Sequence, residues 1–449
     1  MLVFASISAG SFAQEGLIGQ LDQKAAATVS ALGVPSASVA VIKDNKLLWA
    51  KAYGRANLQN NRPAETSTRY AVGSISKQFT AAALLLEQER GKLSLDDNVA
   101  KYFPELTRAS EVTIRQLLSH TSGYEDYAPQ DYLIPEWTRS TTPQDILNRW
   151  AKKPLNFDPG TKWQYSNTNY VLAGEILEKV SGQKLLDLLN ENFFRRLGMA
   201  SAGDCEVHSS ADATAYTRYA LGPPREVGRE ASGWYFAAGE LCMTATDLAK
   251  WDIAFLEKKI VSAQSYAEWT REVKLKDGKG TGYALGLSVG DAAGTLRISH
   301  SGEVSGFLAS NTVFPEKGVG VIVLSNEDGV NLIGPLSSEL SSVVLNPQGS
   351  DARDDGVRRI LLALQEGKID RSQFTANANA YFGEQALSDY RNSLAPLGPL
   401  QVLIRQSEQQ RGGMTHLSYR AHFERTSVVL NIYVTPDGKF EQFLIEEAL

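Results

Sequence analysis

The sequence predicts an α+β protein: an antiparallel sheet flanked by helices and interrupted by an inserted helical region, with a small α+β domain after it. Three observations carry this reading. A strand hairpin stands near the N-terminus, alternation of strand type returns only at residues 283–329, and helical periodicity fills the interval. The stretch LNPQGSD at 345–351 then breaks the pattern ahead of a final segment with its own helices and strands.

Taken in order, MLVFASISAGSFAQEG begins with an apolar, uncharged run from Leu2 to Phe12. Ser11-Phe12-Ala13 fits the small-x-small pattern of a secretory cleavage site, although the basic n-region is missing. Residues 1–13 are therefore expected to be the remnant of a signal peptide, and the protein to be secreted or periplasmic. SASVAVIKDNKLLWAKAYG (36–54) alternates about Lys43-Asp44-Asn45-Lys46 and reads as a hairpin. YAVGSISKQFTAAALLLEQERGKL (70–93) starts as a turn and continues as a long amphipathic helix, with Gly91 as a left-handed C-cap.

Helical patterns follow in VTIRQLLSHTSG, TPQDILNRWAKK, TNYVLAGEILEKVSGQKLLDLLNENFF and residues 245–256. The runs YALGLSVGD, GTLRISHSG, FLASNTVFPEKG and VGVIVLSNEDG restore the strands, and PLSSELSSVVL closes the region as a helix. Beyond the linker, DDGVRRILLALQEG and residues 381–394 read as helices. Residues 401–446 read as three or four strands, with a hairpin turn at Pro436-Asp437-Gly438. The expected domains are 14–345 and 346–449.

Composition narrows the function classes. Of 449 residues 43% are hydrophobic and 21% charged, the profile of an ordinary globular protein. A net charge of −6 offers no basic field for nucleic acid. No apolar run approaches the roughly 20 residues of a membrane span. The two cysteines, Cys205 and Cys242, form no Cys-x-x-Cys, so no metal site is expected. A single disulfide and two buried thiols both remain open.

Three short pieces carry chemistry. In the first, Ser74 and Lys77 stand one helical turn apart at a helix N-terminus, where a lysine is electrostatically out of place. Burial and the positive helix end both lower an amine's pKa, which would make Lys77 a base for Ser74. Alone, a serine cap followed by a solvated lysine explains the same pattern. In the second, Tyr165-Ser166-Asn167 could supply a proton-relaying phenol and an amide for a substrate carbonyl; alone, it reads rather as an aromatic plug with a capping Asn. In the third, His300-Ser301-Gly302-Glu303 ends a strand-like run, and Gly302 would allow a substrate backbone to approach. Alone, it is a strand end bearing a surface histidine.

Together and in this order, Ser-x-x-Lys, Tyr-x-Asn and a late basic-x-Gly resemble the serine β-lactamase-like superfamily. LLSHTSGY (117–124), FDPGTKWQYSN and AAGELCMTATDLAKW (237–251) are similar to the branch holding class C β-lactamases, DD-carboxypeptidases, D-aminopeptidases and family VIII esterases. The resemblance covers residues 34–345. It implies a β-lactamase-like fold, Ser74 as acylated nucleophile, Lys77 as base, Tyr165 as proton relay and Asn167 as substrate ligand. It also implies an oxyanion hole at the N–H groups of Ser74 and Glu303. His300, Gly302 and Glu303 are the candidate substrate contacts of the third piece, Tyr124 is a further candidate, and no cofactor is expected.

One departure matters: the β-lactamases of this branch usually carry lysine where this chain has His300, a weaker anchor for a carboxylate. The expectation is a serine hydrolase acting on esters or amides, on small peptides or D-amino-acid compounds of the cell envelope. A promiscuous carboxylesterase with weak β-lactamase activity and a penicillin-binding sensor without turnover are the alternatives. The C-terminal domain is a candidate surface for a partner or second subunit. Gly286-Leu287-Ser288-Val289-Gly290 matches G-x-S-x-G but lies in a strand-like run, lacking the strand–turn–helix context that motif requires. His120 is expected to be structural. Tyr127, Tyr132 and Trp137, like Tyr124, either line a cleft or pack a loop.

Overall fold

The computed structural model describes residues 9–207, 209–292, 294–345, 352–423 and 425–447. It divides into two compact units, Val34–Ser337 and the combination of Met1–Gly33 with Ser338–Leu449. Residues 1–8 of the expected signal segment and residues 346–351 of the expected linker lie outside the described residues. The helix Ala9–Leu32 groups with the C-terminal unit, whereas the sequence assigned residues 14–33 to the catalytic domain. Lys24 Nζ and Thr28 Oγ1 both donate to the carboxylate of Glu339, a pairing across more than 300 positions that no local pattern announces.

The larger unit is organised by a seven-stranded antiparallel sheet. Its strands are β1 (Ser36–Lys43), β2 (Lys46–Asn57), β3 (Arg62–Pro63), β4 (Ser288–Ala292), β5 (Thr295–Val304), β6 (Phe307–Phe314) and β7 (Val319–Ser325). Their spatial order is β3-β2-β1-β7-β6-β5-β4, so the N-terminal hairpin joins the late strands through the β1–β7 pair, with Val39 opposite Val323. The hairpin turns at Asp44 (φ 53°) and Asn45 (φ 58°), residues that tolerate the left-handed conformation a two-residue loop needs. β1 and β7 are covered on both faces and read as near-continuous apolar runs.

The first late strand begins at Ser288, not at Tyr283 as alternation suggested. Gly286 has φ +72°, and a Cβ there would lie 2.9 Å from the Lys77 carbonyl oxygen, so the chain bends around the central helix before it enters the sheet.

That central helix, α1 (Ser76–Glu89), is buried almost all round rather than amphipathic. Ala81, Ala82 and Ala83 keep it slim, Phe79 stacks on Trp251 with ring centroids 3.9 Å apart, and its polar residues find partners. Thr80 Oγ1 donates to the Ala237 carbonyl at 2.9 Å, and Glu87 pairs with Arg90 and Lys92. The helix ends as expected: Gly91 is left-handed, its N–H donates to the Gln88 carbonyl, and the Lys92 N–H donates to that of Glu87. Helices α2 (Asn167–Ser181) and α3 (Ala245–Leu256) complete the surroundings of the site.

The smaller unit carries a four-stranded antiparallel sheet from Leu400 to Glu447, with the helices Ala352–Gln365 and Glu384–Leu394. Residues alternate between buried and half-buried along Met414–Phe423 and Ser427–Val434, so one face builds a core around Leu417, Tyr419, Leu430 and Ile432. Among the described residues no helix is long and apolar enough to cross a membrane.

Cys205 and Cys242 form a disulfide, with Cα atoms 4.9 Å apart. It joins the strand Gly203–Asp204 to Leu241–Met243, which pairs in turn with Tyr70–Ala71 just ahead of Ser74. Alkylation of the denatured, unreduced protein should find no free thiol. Reduction should remove about 2–4 kcal/mol of stability, read as a lower Tm. Two titratable thiols in the unreduced chain would rule the bridge out.

Candidate active site

Ser74 sits in a 3-10 turn, Gly73–Ile75, that runs directly into α1. Lys77, fully buried in the first turn of α1, places its Nζ 2.9 Å from Ser74 Oγ, 2.8 Å from Asn167 Oδ1 and 2.7 Å from the Ala238 carbonyl oxygen. Burial holds its pKa down to about 7, against the opposing pull of Asp126. A neutral amine has two N–H groups and one lone pair. The Asn167 and Ala238 oxygens take the two N–H groups, so the lone pair is left for the Ser74 hydroxyl. Ser76, by contrast, is structural: its Oγ accepts from the Leu241 N–H.

The Tyr165 ring lies 5.0 Å from Lys77 Nζ. Desolvation keeps the phenol above its ordinary pKa range even though a hydrogen bond with Ser74 opposes the shift. Tyr165 is thus a neutral donor at physiological pH. His120, expected to be structural, is buried: its Nδ1 accepts from the Ser166 N–H at 3.2 Å, and its ring packs 4.2 Å from that of Tyr165. Asn167 opens α2, and Asp126 orients it. Asp126 Oδ1 accepts from the Asn167 N–H at 2.8 Å, and Oδ2 from its Nδ2 at 3.4 Å, which turns Oδ1 of the amide toward Lys77. Sequence reasoning missed Asp126; an acid just after the HTSGY stretch was its one signal.

β5 passes directly beneath the Ser74 turn. A Cβ on Gly302 would lie 1.9 Å from the Val72 carbonyl oxygen and 3.1 Å from Ser74 N; one on Gly73 would lie 2.8 Å from Glu303 N. Gly302 is therefore required by the protein's own turn, not by an approaching substrate as its sequence context suggested. The same closeness brings the N–H groups of Ser74 and Glu303 together. Val304 and Phe307 close a two-residue turn, and ladder bonds alternate along β5, so the Glu303 backbone points away from β6. The β4 pairing stops at Ser299–Ser288, which leaves that edge open. Two adjacent donors there suit a developing oxyanion.

His300 is 5% exposed and has both ring nitrogens engaged: Nε2 with Tyr283 Oη at 2.7 Å, and Nδ1 with the Ser301 carbonyl at 2.5 Å. Burial, and then the Lys77 charge, push its pKa down to about 4. It is a neutral, committed side chain.

A cavity of about 660 Å³ opens over Ser74. Tyr127, Tyr132, Trp137, Trp163, Tyr165, Trp234 and His300 line it, with Asn167 and Glu303. Tyr124 does not: it is buried at 2% exposure and donates its hydroxyl to the Thr107 carbonyl, so its expected place at the substrate is corrected to the core. Trp234, Tyr235 and Glu230 come from a segment in which the sequence showed no motif. Ser288, half-buried at the start of β4, stands in strand and turn with no helix after it.

The sequence profile of the Beta-lactamase family matches residues 21–335. Similar proteins include the putative penicillin-binding protein PbpX of Bacillus subtilis, 25% identical over 318 residues (68% of this chain, 74% of that one). A D-aminopeptidase of Cereibacter sphaeroides is 30% identical over 308 residues, 66% of this chain but 57% of that longer protein. Among solved structures, the octameric penicillin-binding protein homologue from Pyrococcus abyssi superposes with a TM-score of 0.67 at 22% identity, covering 95% of this chain and 99% of that one. A D-stereospecific amidohydrolase from Streptomyces sp. superposes with a TM-score of 0.63 at 26% identity, covering 74% of this chain and 99% of that one. With a match that spans most of its length and the fold that goes with it, the chain belongs to the beta-lactamase family.

Proposed function

We propose that the protein is a serine hydrolase that works through an acyl-enzyme on esters and amides of small amino-acid or peptide compounds. Family membership, with D-aminopeptidases and a D-stereospecific amidohydrolase among the similar proteins, supports a hydrolase. The observation that carries the serine mechanism is the Lys77 amine, buried, held near neutrality and aimed at Ser74 Oγ. Lys77 takes the hydroxyl proton as Oγ attacks the substrate carbonyl. The N–H groups of Ser74 and Glu303 receive the oxyanion, and the Tyr165 phenol passes a proton toward the leaving group. Water then repeats the sequence on the ester and frees Ser74. A signal-like start and a disulfide support export to the envelope or medium.

His300 supports the choice of substrate branch. A carboxylate-bearing β-lactam gains from an ammonium at this position, and a neutral imidazole already bonded at both nitrogens offers little in its place. The reading is therefore amide and ester hydrolysis with poor turnover of penicillins.

Ser74→Ala should abolish covalent labelling by an acylating probe and lower kcat by about 10³-fold or more, whereas Ser288→Ala should leave labelling intact. Peptide mass spectrometry that maps the label to Ser288 would overturn the assignment. The pH profile carries the sign of the Lys77 shift. Because the neutral amine is the base, kcat/KM on a neutral nitrophenyl ester should rise through about pH 7 and fall below it; an activity flat from pH 5 to 9 would exclude Lys77 as base. His300→Lys should improve cephalosporin turnover relative to the ester by about tenfold, the worth of one charge-assisted bond. Wild-type cephalosporin turnover rivalling the ester would restore β-lactamase as the first choice.

A further inference from the structure

Behind the site, four buried side chains form a polar ring between α1, α3 and β6. Trp251 Nε1 donates to Gln78 Oε1 at 3.1 Å, and Gln78 Nε2 donates to Asn311 Oδ1 at 2.8 Å. Asn311 Nδ2 donates in turn to Asp252 Oδ1 at 2.8 Å and back to Gln78 Oε1 at 3.3 Å. None of the four is more than 3% exposed, and Asp252 Oδ2 has no hydrogen-bond partner. A carboxyl group enclosed in this way is unfavourable in itself, so its place in the ring needs a reason.

The ring has a direction. Two facing amides are satisfied equally well if both turn over, because each then exchanges its donor for its acceptor. The ends remove that freedom: an indole N–H can only donate, and a carboxylate can only accept. Turned over, Gln78 would set N–H against N–H at Trp251, and Asn311 would set oxygen against oxygen at Asp252. Trp251 and Asp252 are consecutive on α3, so one helix holds both ends. What the ring grips carries the chemistry. Gln78 follows Lys77 in the first turn of α1, and Asn311 stands opposite His300 in the β5–β6 register, on the same face of the sheet. The seating of that turn on those strands sets the reach of Lys77 to Ser74 and the closeness of the Ser74 and Glu303 backbones.

Among the described residues no charged side chain faces Asp252. Ala40, Ile322 and Asn311 form one row across β1, β7 and β6, and Lys43, Lys46, Lys51 and Arg55 alternate onto the other face. β6 and β7 hold no ionisable residue. On α1, Lys77 turns to Ser74 and Glu87 pairs with Arg90 and Lys92; on α3, Asp247 pairs with Lys250. Glu268, beside the Trp269 that packs on Trp251, pairs with Arg115, and Arg195 and Arg196 are exposed. His300 is neutral. Burial accordingly raises the Asp252 carboxyl to about 7, opposed by the Asn311 hydrogen bond.

We propose that Asp252 is a positioning residue: through Asn311 and Gln78 its carboxyl group locks the first turn of α1 against β6 and holds Lys77 in line with Ser74. Asp252 touches neither substrate nor reacting atoms, and only its effect on activity rests on the acyl-transfer reading.

The test uses the full chain and 4-nitrophenyl butyrate. Asp252→Ala should lower kcat by about tenfold with little change in KM, less than the roughly 10²-fold that a 1 Å misplacement can cost. It should also move the acid limb of kcat/KM up from about pH 7 by about half a pH unit, since a loosened turn lets water reach Lys77. Asp252→Asn, whose Oδ1 still accepts from Asn311 while Trp251 sets the direction, should keep the limb and most of kcat. A lower Tm with the limb unmoved in Asp252→Ala is the mark of a merely structural role and overturns the proposal, as do equal losses in the two variants. Gln78→Met cuts the ring at the helix and should reproduce the Asp252→Ala effect; wild-type behaviour there overturns the proposal even if Asp252→Ala does not fold.

Stability gives a sign free of activity. The folded chain keeps the Asp252 proton to about pH 7, whereas the unfolded chain releases it near about pH 4, so stability is lost as pH rises through that window. The Tm of Asp252→Asn should therefore gain on the wild type from about pH 5 to about pH 8; a constant difference overturns the enclosed placement and the proposal with it. Hydrogen exchange separates the two readings. Peptides covering residues 74–82 should exchange faster in Asp252→Ala than in Asp252→Asn. If the wild type hydrolyses nothing yet exchange follows this order, the acyl-transfer reading fails and the lock on the α1 turn stands. Unchanged exchange beside an active enzyme removes the positioning role and leaves acyl transfer intact.

Discussion

The arrangement of the site depends on one buried amine. Lys77 is enclosed at the N-terminal end of a helix, where desolvation and the helix field both act against its positive charge. Its neighbours accept hydrogen bonds without supplying a full counter-charge. Asn167 and the Ala238 carbonyl hold it by dipoles, while Asp126 bonds the Asn167 amide and pulls on the amine only from a distance. An ion pair in direct contact would have raised the amine toward its ordinary range. Much of the architecture delivers these acceptors: α2 begins at Asn167, His120 fixes the segment just before it, and Leu241–Met243 anchors the turn that carries Ala238.

A second constraint is the distance between backbones. Ser74 and Glu303 bring their N–H groups together because Gly73 and Gly302 have no side chains to keep the turn and strand apart. A methyl group at either position would meet backbone, which cannot move aside without displacing β5 from the sheet. The disulfide supports the same region from its other flank, since the strand carrying Cys242 pairs with the one that leads into the Ser74 turn. Glycines and bridge alike restrain the turn that holds Ser74 and Lys77 against the backbone of Glu303.

The cavity reads as a preference about charge. Its floor holds Ser74, and its walls carry acidic and aromatic side chains beside a neutral imidazole bonded at both ring nitrogens. The floor comes from turn, helix and strand, whereas the walls come from the segments around Asp131 and Glu230.

The sequence by itself determined what is local. The hairpin at Asp44-Asn45, the cap at Gly91, the helix at 245–256, and the one-turn spacing of Ser74 and Lys77 are all short-range, so residue type and period suffice to specify them. Tyr165, Asn167, His300 and Glu303 were legible too, each through a short motif. Only the tertiary structure decided what depends on distant contact. Tyr124 belongs to the core because its hydroxyl reaches Thr107, Gly302 serves the Val72 carbonyl rather than a substrate, and Ala9–Leu32 groups with the C-terminal unit through Glu339. Asp126 had only its place after the HTSGY stretch to mark it and Glu230 had no motif, because their contacts are made across tens of residues; burial, which sets the charge of Lys77 and His300, is a property of the folded chain alone.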